Sequence, residues 1–210
     1  MKTLKLAALS LAVLTAVVPA RAEEKQDTKK DMPAPAAAPS QDEMMAAMAK
    51  ASTPGERHKV LARSAGDWKV TTKMWMAPDQ PPIENTGTMK GEMVLGGRYL
   101  QAIFKSTFMG QPFEGRSLDA YDNIAQTFTN TWIDNMGTGV LISRGDCSDP
   151  SCKVITLTGL MVDPMSGGKV NTKTVTTWQD DDHYKMEMWS DDGKGAGEVK
   201  MMELMASRAK

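Results

Sequence analysis

Histidine is scarce in this sequence, with two residues in 210, and cysteine is equally scarce. Acid–base catalysis, nucleophile activation and metal binding rely most often on imidazole groups, so two isolated histidines restrict those chemistries. His58 stands between Arg57 and Lys59 in a helical pattern, which predicts a solvated position. His183 shares a strand face with Lys185 and Glu187 and is expected on the outside of the barrel or at its rim. We therefore predict no catalytic residue, no metal site and no cofactor.

A second long hydrophobic run is also missing. Outside Leu6–Val18, no apolar stretch approaches the roughly 20 residues of a membrane-spanning helix. Leu6–Val18 is itself too short, follows two lysines and precedes the segment Pro19–Ala22, as is typical of a secretory signal peptide and its cleavage site. The sequence predicts a signal peptide over residues 1–22, cut after Ala22, a periplasmic or secreted location and no transmembrane segment in the mature protein.

An excess of basic residues is missing as well. Removal of residues 1–22 leaves 22 basic against 26 acidic side chains. Nucleic-acid-binding domains usually carry a basic face, and the only basic pair outside the ordered-looking sequence is Lys29-Lys30. Nucleic acid is therefore not expected among the partners.

The segment after the signal peptide changes character twice. Residues 23–40 are charged and then rich in proline and alanine, with no aromatic residue, which predicts a disordered linker. Residues 41–66 are predicted to form a helical segment in two parts. Asp42–Lys50 has acidic residues at its start and lysine at its end, as helices prefer. Thr53–Ala65 begins with a capping box completed by Glu56.

Beyond this segment the hydrophobic period becomes two, as in Trp68, Val70 and Met74 against Lys69 and Lys73. About ten such runs follow, separated by short turns and without helical runs between them. This pattern predicts an antiparallel meander, and closing a meander into a barrel removes its exposed edges. We therefore predict an all-β domain over residues 67–210, a closed barrel of about 8–10 strands, with a flat sandwich as the alternative.

The two cysteines, Cys147 and Cys152, enclose the segment Ser-Asp-Pro-Ser, which has the chemistry of a turn. Disulfides persist outside the cytoplasm, so we predict a disulfide across a hairpin, with two free thiols as the alternative. A four-residue spacer with no nearby histidine pair does not favour zinc.

Methionine is abundant, with 18 residues. Thioethers are soft ligands that suit copper(I), and the pairs Met74/Met76 and Met186/Met188 would each present two sulfurs on one face. Methionine also fills irregular apolar space and lines adaptable binding surfaces. Because no histidine or cysteine is interleaved, we favour a methionine-rich core or lumen over copper.

The candidate ligand-binding residues lie on strands around the predicted lumen. Trp132 and Asp134 alternate onto one face, where an unpaired carboxylate would be costly. Arg98 is expected as the partner of Asp134 or as the contact of an anionic ligand group, although Asp134 also fits a turn in which it bonds the backbone. The predicted ligand-binding residues are Trp68, Met74, Arg98, Phe113, Tyr121, Trp132 and Asp134.

Several segments resemble a known bacterial family. They include Pro54-Gly55-Glu56, Gly66-x-Trp68-Lys69-Val70, Gly96-Gly97-Arg98-Tyr99-Leu100, Met109-Gly110-x-Pro112-Phe113-Glu114-Gly115, Tyr121-Asp122-Asn123, Thr131-Trp132-Ile133-Asp134 and Asp163-Pro164. Together they are similar to the family termed domain of unknown function 1579, which is grouped with the lipocalin-like calycins. The resemblance implies a lipocalin-like barrel and supplies no activity. Ala120 departs from the family pattern, in which glycine is expected ahead of the Tyr-Asp pair.

Such a barrel favours a binding protein that holds a small, apolar or amphipathic ligand among tryptophan, methionine and phenylalanine side chains. Two alternatives stay open: an envelope or stress interaction protein with a filled barrel, and an enzyme that acts on a small hydrophobic substrate through Asp134 or Tyr121. A haem-binding barrel would need an inward histidine, whereas His183 is expected to point outward. The sequence does not determine the oligomeric state.

Overall fold

The computed structural model describes residues 38–77, 79–164, 166–191, 195 and 197–210. The predicted signal peptide and nearly all of the predicted linker lie outside the described residues. Two helices precede ten strands. The elements are α1 (Gln41–Ser52), α2 (Glu56–Ala62), β1 (Gly66–Met74), β2 (Ile83–Val94), β3 (Tyr99–Phe108), β4 (Gln111–Asp122), β5 (Thr127–Asp134), β6 (Leu141–Cys147), β7 (Val154–Val162), β8 (Lys169–Trp178), β9 (His183–Asp191) and β10 (Val199–Arg208).

The ten strands form one closed barrel, in which each strand pairs antiparallel with its neighbours in the sequence and β1 pairs with β10. Val70 lies opposite Gly87 on one side and opposite Ala206 on the other, so β1 closes the sheet in register. Closure leaves no strand edge with unpaired backbone groups. The prediction of an all-β meander closed into a barrel is confirmed, and the flat sandwich is excluded.

The two ends of the barrel differ. At one end, called here the closed end, Leu61 of α2 packs against Leu100 and Phe128. The β2–β3, β4–β5, β6–β7 and β8–β9 connections lie at this end. The opposite end, called the open end, carries the other five connections, and neither of the two described helices lies over it. Access to the lumen is therefore expected from the open end.

The half of the lumen next to the closed end is filled by aromatic side chains. The rings of Trp68, Trp178 and Tyr184 pack with centroids 4.9 to 6.0 Å apart. The guanidinium of Arg208 lies 4.3 Å from the centroid of Trp68 and donates to the carbonyl of Ala65. This cluster joins the first and last strands, so it fixes the closure of the barrel.

The cap of α2 differs from the predicted capping box. Gly55 is the N-cap residue, and its N–H donates to Nδ1 of His58 at 3.1 Å. Thr53 instead ends α1, because its hydroxyl donates to the carbonyl of Ala49 at 2.7 Å. The prediction of a helix starting at Thr53 was therefore wrong by three residues, since the threonine hydroxyl is engaged by the preceding helix.

The solvated position predicted for His58 was wrong. The residue is 6% exposed, and its ring meets Tyr121 edge-on at a centroid distance of 6.0 Å. The charged neighbours Arg57 and Lys59 face other directions, because α2 lies across the barrel end and buries the face that carries His58 and Leu61. Burial and the charge of Arg98 lower the pKa of His58, while its hydrogen bond to the Tyr121 backbone opposes that shift.

Replacement of His58 by alanine is expected to lower the free energy of unfolding by about 1 to 2 kcal/mol at pH 7.5, because a helix cap and a buried hydrogen bond are lost. His58 binds a proton more weakly in the folded state than in the unfolded state, where its pKa is near 6.5. The stabilisation is therefore complete above pH 6.5 and declines as the pH falls through the lowered folded pKa.

Urea unfolding measured from pH 7.5 to pH 5 tests this expectation. The difference between the wild type and the His58→Ala variant should shrink as the pH falls. His183→Ala is the control, because His183 is exposed on the β8–β9 hairpin beside Asp180. An equal difference at every pH would contradict the role of neutral His58.

The predicted disulfide is confirmed. Cys147 and Cys152 are bonded and close the hairpin between β6 and β7 at the closed end. Cys152 is fully buried, and Nη1 of Arg57 contacts its sulfur. The disulfide therefore holds this hairpin against α2.

Candidate functional site in the barrel lumen

A row of inward-facing polar side chains crosses the barrel wall. Asp119 on β4 lies opposite Asn130 on β5, which in turn lies opposite Ser143 on β6. After Gly159 on β7, the row continues with Thr172 on β8 and Ser190 on β9. We call Asp119, Asn130, Ser143, Thr172 and Ser190 the polar row. Every member shares the pleat face that also carries the buried aromatic residues, so the row lines the lumen.

Asp119 is the charged member of the polar row. Its Oδ1 accepts from Nδ2 of Asn130 at 2.7 Å and its Oδ2 accepts from Oγ of Ser117 at 2.8 Å. Burial raises the pKa of Asp119, and these two hydrogen bonds oppose the shift only in part. No lysine or arginine of the described residues pairs with it. A carboxylate offers about four acceptor positions, so Asp119 can accept further donors from a ligand.

Thr172 carries an unused polar group in the same row. Its side chain is 3% exposed, and Oγ1 is buried without a hydrogen-bond partner. Buried polar groups are nearly always paired, so each exception needs a physical reason. Gly159 lies between Ser143 and Thr172 in the sheet. Its lack of a side chain leaves room for Ser143, because a Cβ at position 159 would lie 2.6 Å from Oγ of Ser143. The polar row therefore contains both a carboxylate acceptor and a buried, unpaired hydroxyl.

Aromatic side chains stand next to the polar row on the side of the open end. The ring of Trp132 lies over Gly115, where a Cβ would come within 2.2 Å of the indole. Nε1 of Trp132 donates to Oδ2 of Asp134 at 2.9 Å, which fixes the orientation of the indole. Phe113 meets Phe104 at a centroid distance of 5.8 Å. This part of the lumen presents an apolar wall beside the polar row.

Side chains in the open half of the lumen are less buried than those in the closed half. Trp68 and Trp178 are 1% and 2% exposed, whereas the inward-facing Phe113, Trp132 and Met188 are only half-buried. Inward side chains of a closed barrel can be accessible only if there is space inside it. Solvent therefore reaches the aromatic wall from the open end.

The loops around the open end carry exposed methionines. Met76, Met109 and Met136 lie on three different connections and are 62%, 71% and 56% exposed. Methionine is a flexible apolar side chain that is common on adaptable binding surfaces. The entrance to the lumen is therefore apolar on several sides.

Four of the predicted ligand-binding residues lie in the open half of the barrel. They are Met74, Phe113, Trp132 and Asp134. The other three lie in the closed half. Trp68 belongs to the aromatic cluster, Tyr121 packs on Phe128 at a centroid distance of 4.8 Å, and Arg98 lies in the β2–β3 turn. The predicted residues thus divide between two parts of the lumen.

The predicted pairing of Arg98 with Asp134 was wrong. Nη1 of Arg98 donates to the carbonyl of Leu95 at 2.9 Å, at the closed end. Asp134 ends β5 at the open end and accepts from Trp132 and from the N–H of Met136. The two residues lie at opposite ends because β3 and β5 run in the same direction, and Arg98 precedes β3 whereas Asp134 ends β5. The alternative reading of Asp134 as a turn residue is the one that its backbone bond supports.

Sequence reasoning missed Asp119 as a site residue, although a signal was present. Period-two alternation along β4 puts Ser117 and Asp119 on the same face as Phe113 and Tyr121. An acidic residue between two inward aromatic positions is unusual and could have been singled out. The sequence did not reveal that Asn130 lies opposite it, because register depends on the whole sheet.

No group of three or more histidine, cysteine, aspartate or glutamate side chains is placed to hold a metal ion among the described residues. The two predicted methionine pairs differ in placement. Met186 and Met188 both face the lumen, whereas Met74 faces inward and Met76 is exposed in the β1–β2 connection. Within the described part of the chain, no helix is long and apolar enough to span a membrane.

A closed antiparallel meander with one capped end and a lined lumen defines the class of lipocalin-like barrels. Within that class the chain belongs to the family described as Protein of unknown function (DUF1579), whose model matches residues 53–208. The resemblance inferred from the sequence segments is thereby confirmed. No curated protein matches the chain.

Solved structures with this fold include the two that follow. The crystal structure of Rv2717c from M. tuberculosis superposes with a TM-score of 0.51 at 12% identity, over 75% of this chain and 100% of that chain. The S-type phycobiliprotein lyase CPES from Guillardia theta superposes with a TM-score of 0.51 at 9% identity, over 73% of this chain and 93% of that chain. At such low identity these likenesses show the fold alone.

Proposed function

We propose that this protein is an exported lipocalin-like binding protein that holds a small, partly apolar ligand in the lumen of its barrel. The observation that carries the proposal is Asp119, a half-buried carboxylate that faces the lumen and is held by two neutral donors, Ser117 and Asn130. Desolvation raises the pKa of Asp119. A desolvated carboxylate without a cation is costly to keep, so a binding role accounts for it better than a packing role.

The chemistry of the lumen indicates which ligand would fit. Asp119 would accept a hydrogen bond from a hydroxyl, amide or amine of the ligand. The apolar part of the ligand would lie against Trp132 and Phe113. Pockets of this kind typically combine an apolar wall with a few fixed polar groups. The exposed methionines at the entrance suit the passage of such a molecule.

Export is supported by the N-terminal sequence and by the disulfide. Leu6–Val18 and the small residues around Ala22 fit a cleavable signal peptide. The bond between Cys147 and Cys152 suits an oxidising compartment such as the periplasm or the extracellular space. A carried ligand would therefore come from outside the cytoplasm.

Native mass spectrometry tests the binding function directly. The chain from Glu23, produced in its own compartment, is expected to show an excess mass over the denatured protein. Thr174→Phe places a ring in the lumen and should abolish this excess, because Thr174 faces inward beside Leu157 and Met188. Thr158→Phe makes the same change on the exposed outer face and should retain it.

A bare mass for the wild type is followed by titration with 1-aminoanthracene, an aromatic amine whose fluorescence reports an apolar environment. Saturable binding that Thr174→Phe removes and Thr158→Phe retains would support the proposal. A bare mass together with no saturable binding of the probe would overturn it and favour a filled barrel. Chemical conversion of the bound molecule would instead indicate an enzyme.

A further inference from the structure

An apolar patch covers part of the outer surface of the barrel. It consists of aliphatic side chains on β4, β5, β6 and β7 and immediately before β6, each 42% to 61% exposed. The residues of this outer patch are Leu118, Ile133, Val140, Ile142, Leu160 and Val162.

The outer patch is contiguous. Ile142 lies opposite Thr131, which in turn lies opposite Leu118. The pairing of Ser143 with Gly159 places Ile142 beside Leu160. Ile133 and Val162 lie two residues further toward the open end on their strands, next to Val140. The six side chains therefore form two adjacent rows across four strands.

Neither described helix covers the outer patch. Leu61 packs α2 against the closed end, and Nδ2 of Asn123 holds the end of α1 there through the carbonyl of Thr53 at 2.8 Å. The barrel is closed, so no free strand edge lies nearby to recruit a partner by strand addition. A partner of this surface must therefore bind through side chains.

The size of the outer patch matches the apolar part of a dimer interface. Six half-exposed aliphatic side chains present on the order of 500 Å², the upper end of what monomers expose. A standard interface buries about 800 Å² on each partner, and about 65% of a homodimer interface is apolar. One copy of the patch thus supplies about the apolar surface that each copy of a homodimer contributes.

The charges at the border of the outer patch carry both signs. Arg116 pairs with Glu114 at 2.7 Å on the β4 side, and Lys173 pairs with Glu198 on the β8 side. A two-fold axis parallel to the strands lays the patch on itself and brings the β4 border against the β8 border, where each ion pair meets a border that carries both signs. From the area and the charges we infer that the outer patch is the contact surface of a homodimer of this chain.

Sedimentation velocity from low micromolar to several hundred micromolar protein tests this inference, with the chain from Glu23. The wild type is expected to sediment as a dimer. Leu160→Glu places a charge within the interface in both copies, so the dimer dissociation constant should rise about 30-fold or more. Leu95→Glu is the matched control, because Leu95 is 71% exposed at the closed end, and it should remain dimeric.

Thermal unfolding establishes that each variant is folded, and Ile133→Glu on β5 replaces Leu160→Glu if the latter is not. A wild type that is monomeric over the whole range would overturn the inference. So would a dimer that survives both Leu160→Glu and Ile133→Glu. A monomer that floats with phosphatidylglycerol vesicles would assign the outer patch to a lipid surface instead. The result is independent of the lumenal ligand, because the patch lies on the opposite face of the wall.

Discussion

Replacement of Trp68 by alanine is expected to lower the free energy of unfolding by about 3 to 5 kcal/mol, as for other large aromatic residues in packed cores. Trp68 is 1% exposed and packs between Trp178 and Tyr184. Its Nε1 donates to the carbonyl of Ser64 at 3.1 Å, and the guanidinium of Arg208 stacks on its ring. The substitution removes all of these contacts and leaves a cavity at the seam between β1 and β10.

Guanidinium unfolding followed by far-ultraviolet circular dichroism measures this loss. Trp189→Ala is the control, because Trp189 is only half-buried on the outer surface beside Lys173 and Lys200. We expect that control to cost about 1 kcal/mol, as for a partly exposed side chain. Equal losses for the two variants would show that the aromatic cluster does not hold the barrel closed.

Replacement of Asp119 by asparagine is expected to weaken binding of 1-aminoanthracene about 10-fold or more while raising the free energy of unfolding by about 1 kcal/mol. The binding loss follows because the carboxylate that accepts the amine is gone. The gain in stability follows because an uncharged side chain is cheaper to bury, and Asn130 can still donate to its oxygen. If Asp119 were retained for packing alone, its substitution would not weaken probe binding while raising the free energy of unfolding.

The pH dependence provides a second signature of Asp119. Burial raises its folded pKa above the ordinary value of 3.8, so the folded state binds the proton more tightly than the unfolded state. This carboxyl therefore favours folding at low pH, and its contribution declines as the pH rises from about 4 through the raised pKa. The advantage of Asp119→Asn should be small at low pH and larger at neutral pH.

Asp67→Asn is the control for both measurements, because Asp67 is exposed on β1. It should change neither probe binding nor the pH dependence. Unchanged probe affinity in Asp119→Asn would contradict the role of Asp119 in binding, whereas unchanged stability would contradict only its unfavourable burial.

The barrel could be predicted from local patterns, because a hydrophobic period of two and short turns specify consecutive antiparallel strands. Closing the meander into a barrel then pairs the free edges of its first and last strands. The disulfide could be predicted because Cys147 and Cys152 bracket a turn. The inward placement of Trp132 and Asp134 also followed from alternation along one strand. In each case the information lies within about ten neighbouring residues.

The errors concern contacts between distant segments. Arg98 and Asp134 were paired because both are polar and near predicted strands, but strand direction places them at opposite ends. The exposure of His58 was predicted from its charged neighbours, whereas the packing of α2 on the barrel decides which helix face is buried. The polar row and the outer patch required the register of several strands, which a single strand does not contain.

The sequence by itself determined the class of fold, the hairpin disulfide and which face of each strand is apolar, because these depend on residue spacing and turn chemistry. The tertiary structure decided that Asp119, Asn130 and Thr172 share one row, that Trp68, Trp178 and Tyr184 pack together in the closed half, and that six aliphatic residues meet on the outer surface. The physical reason is that barrel closure sets the register between strands, and register alone brings side chains from distant parts of the chain together.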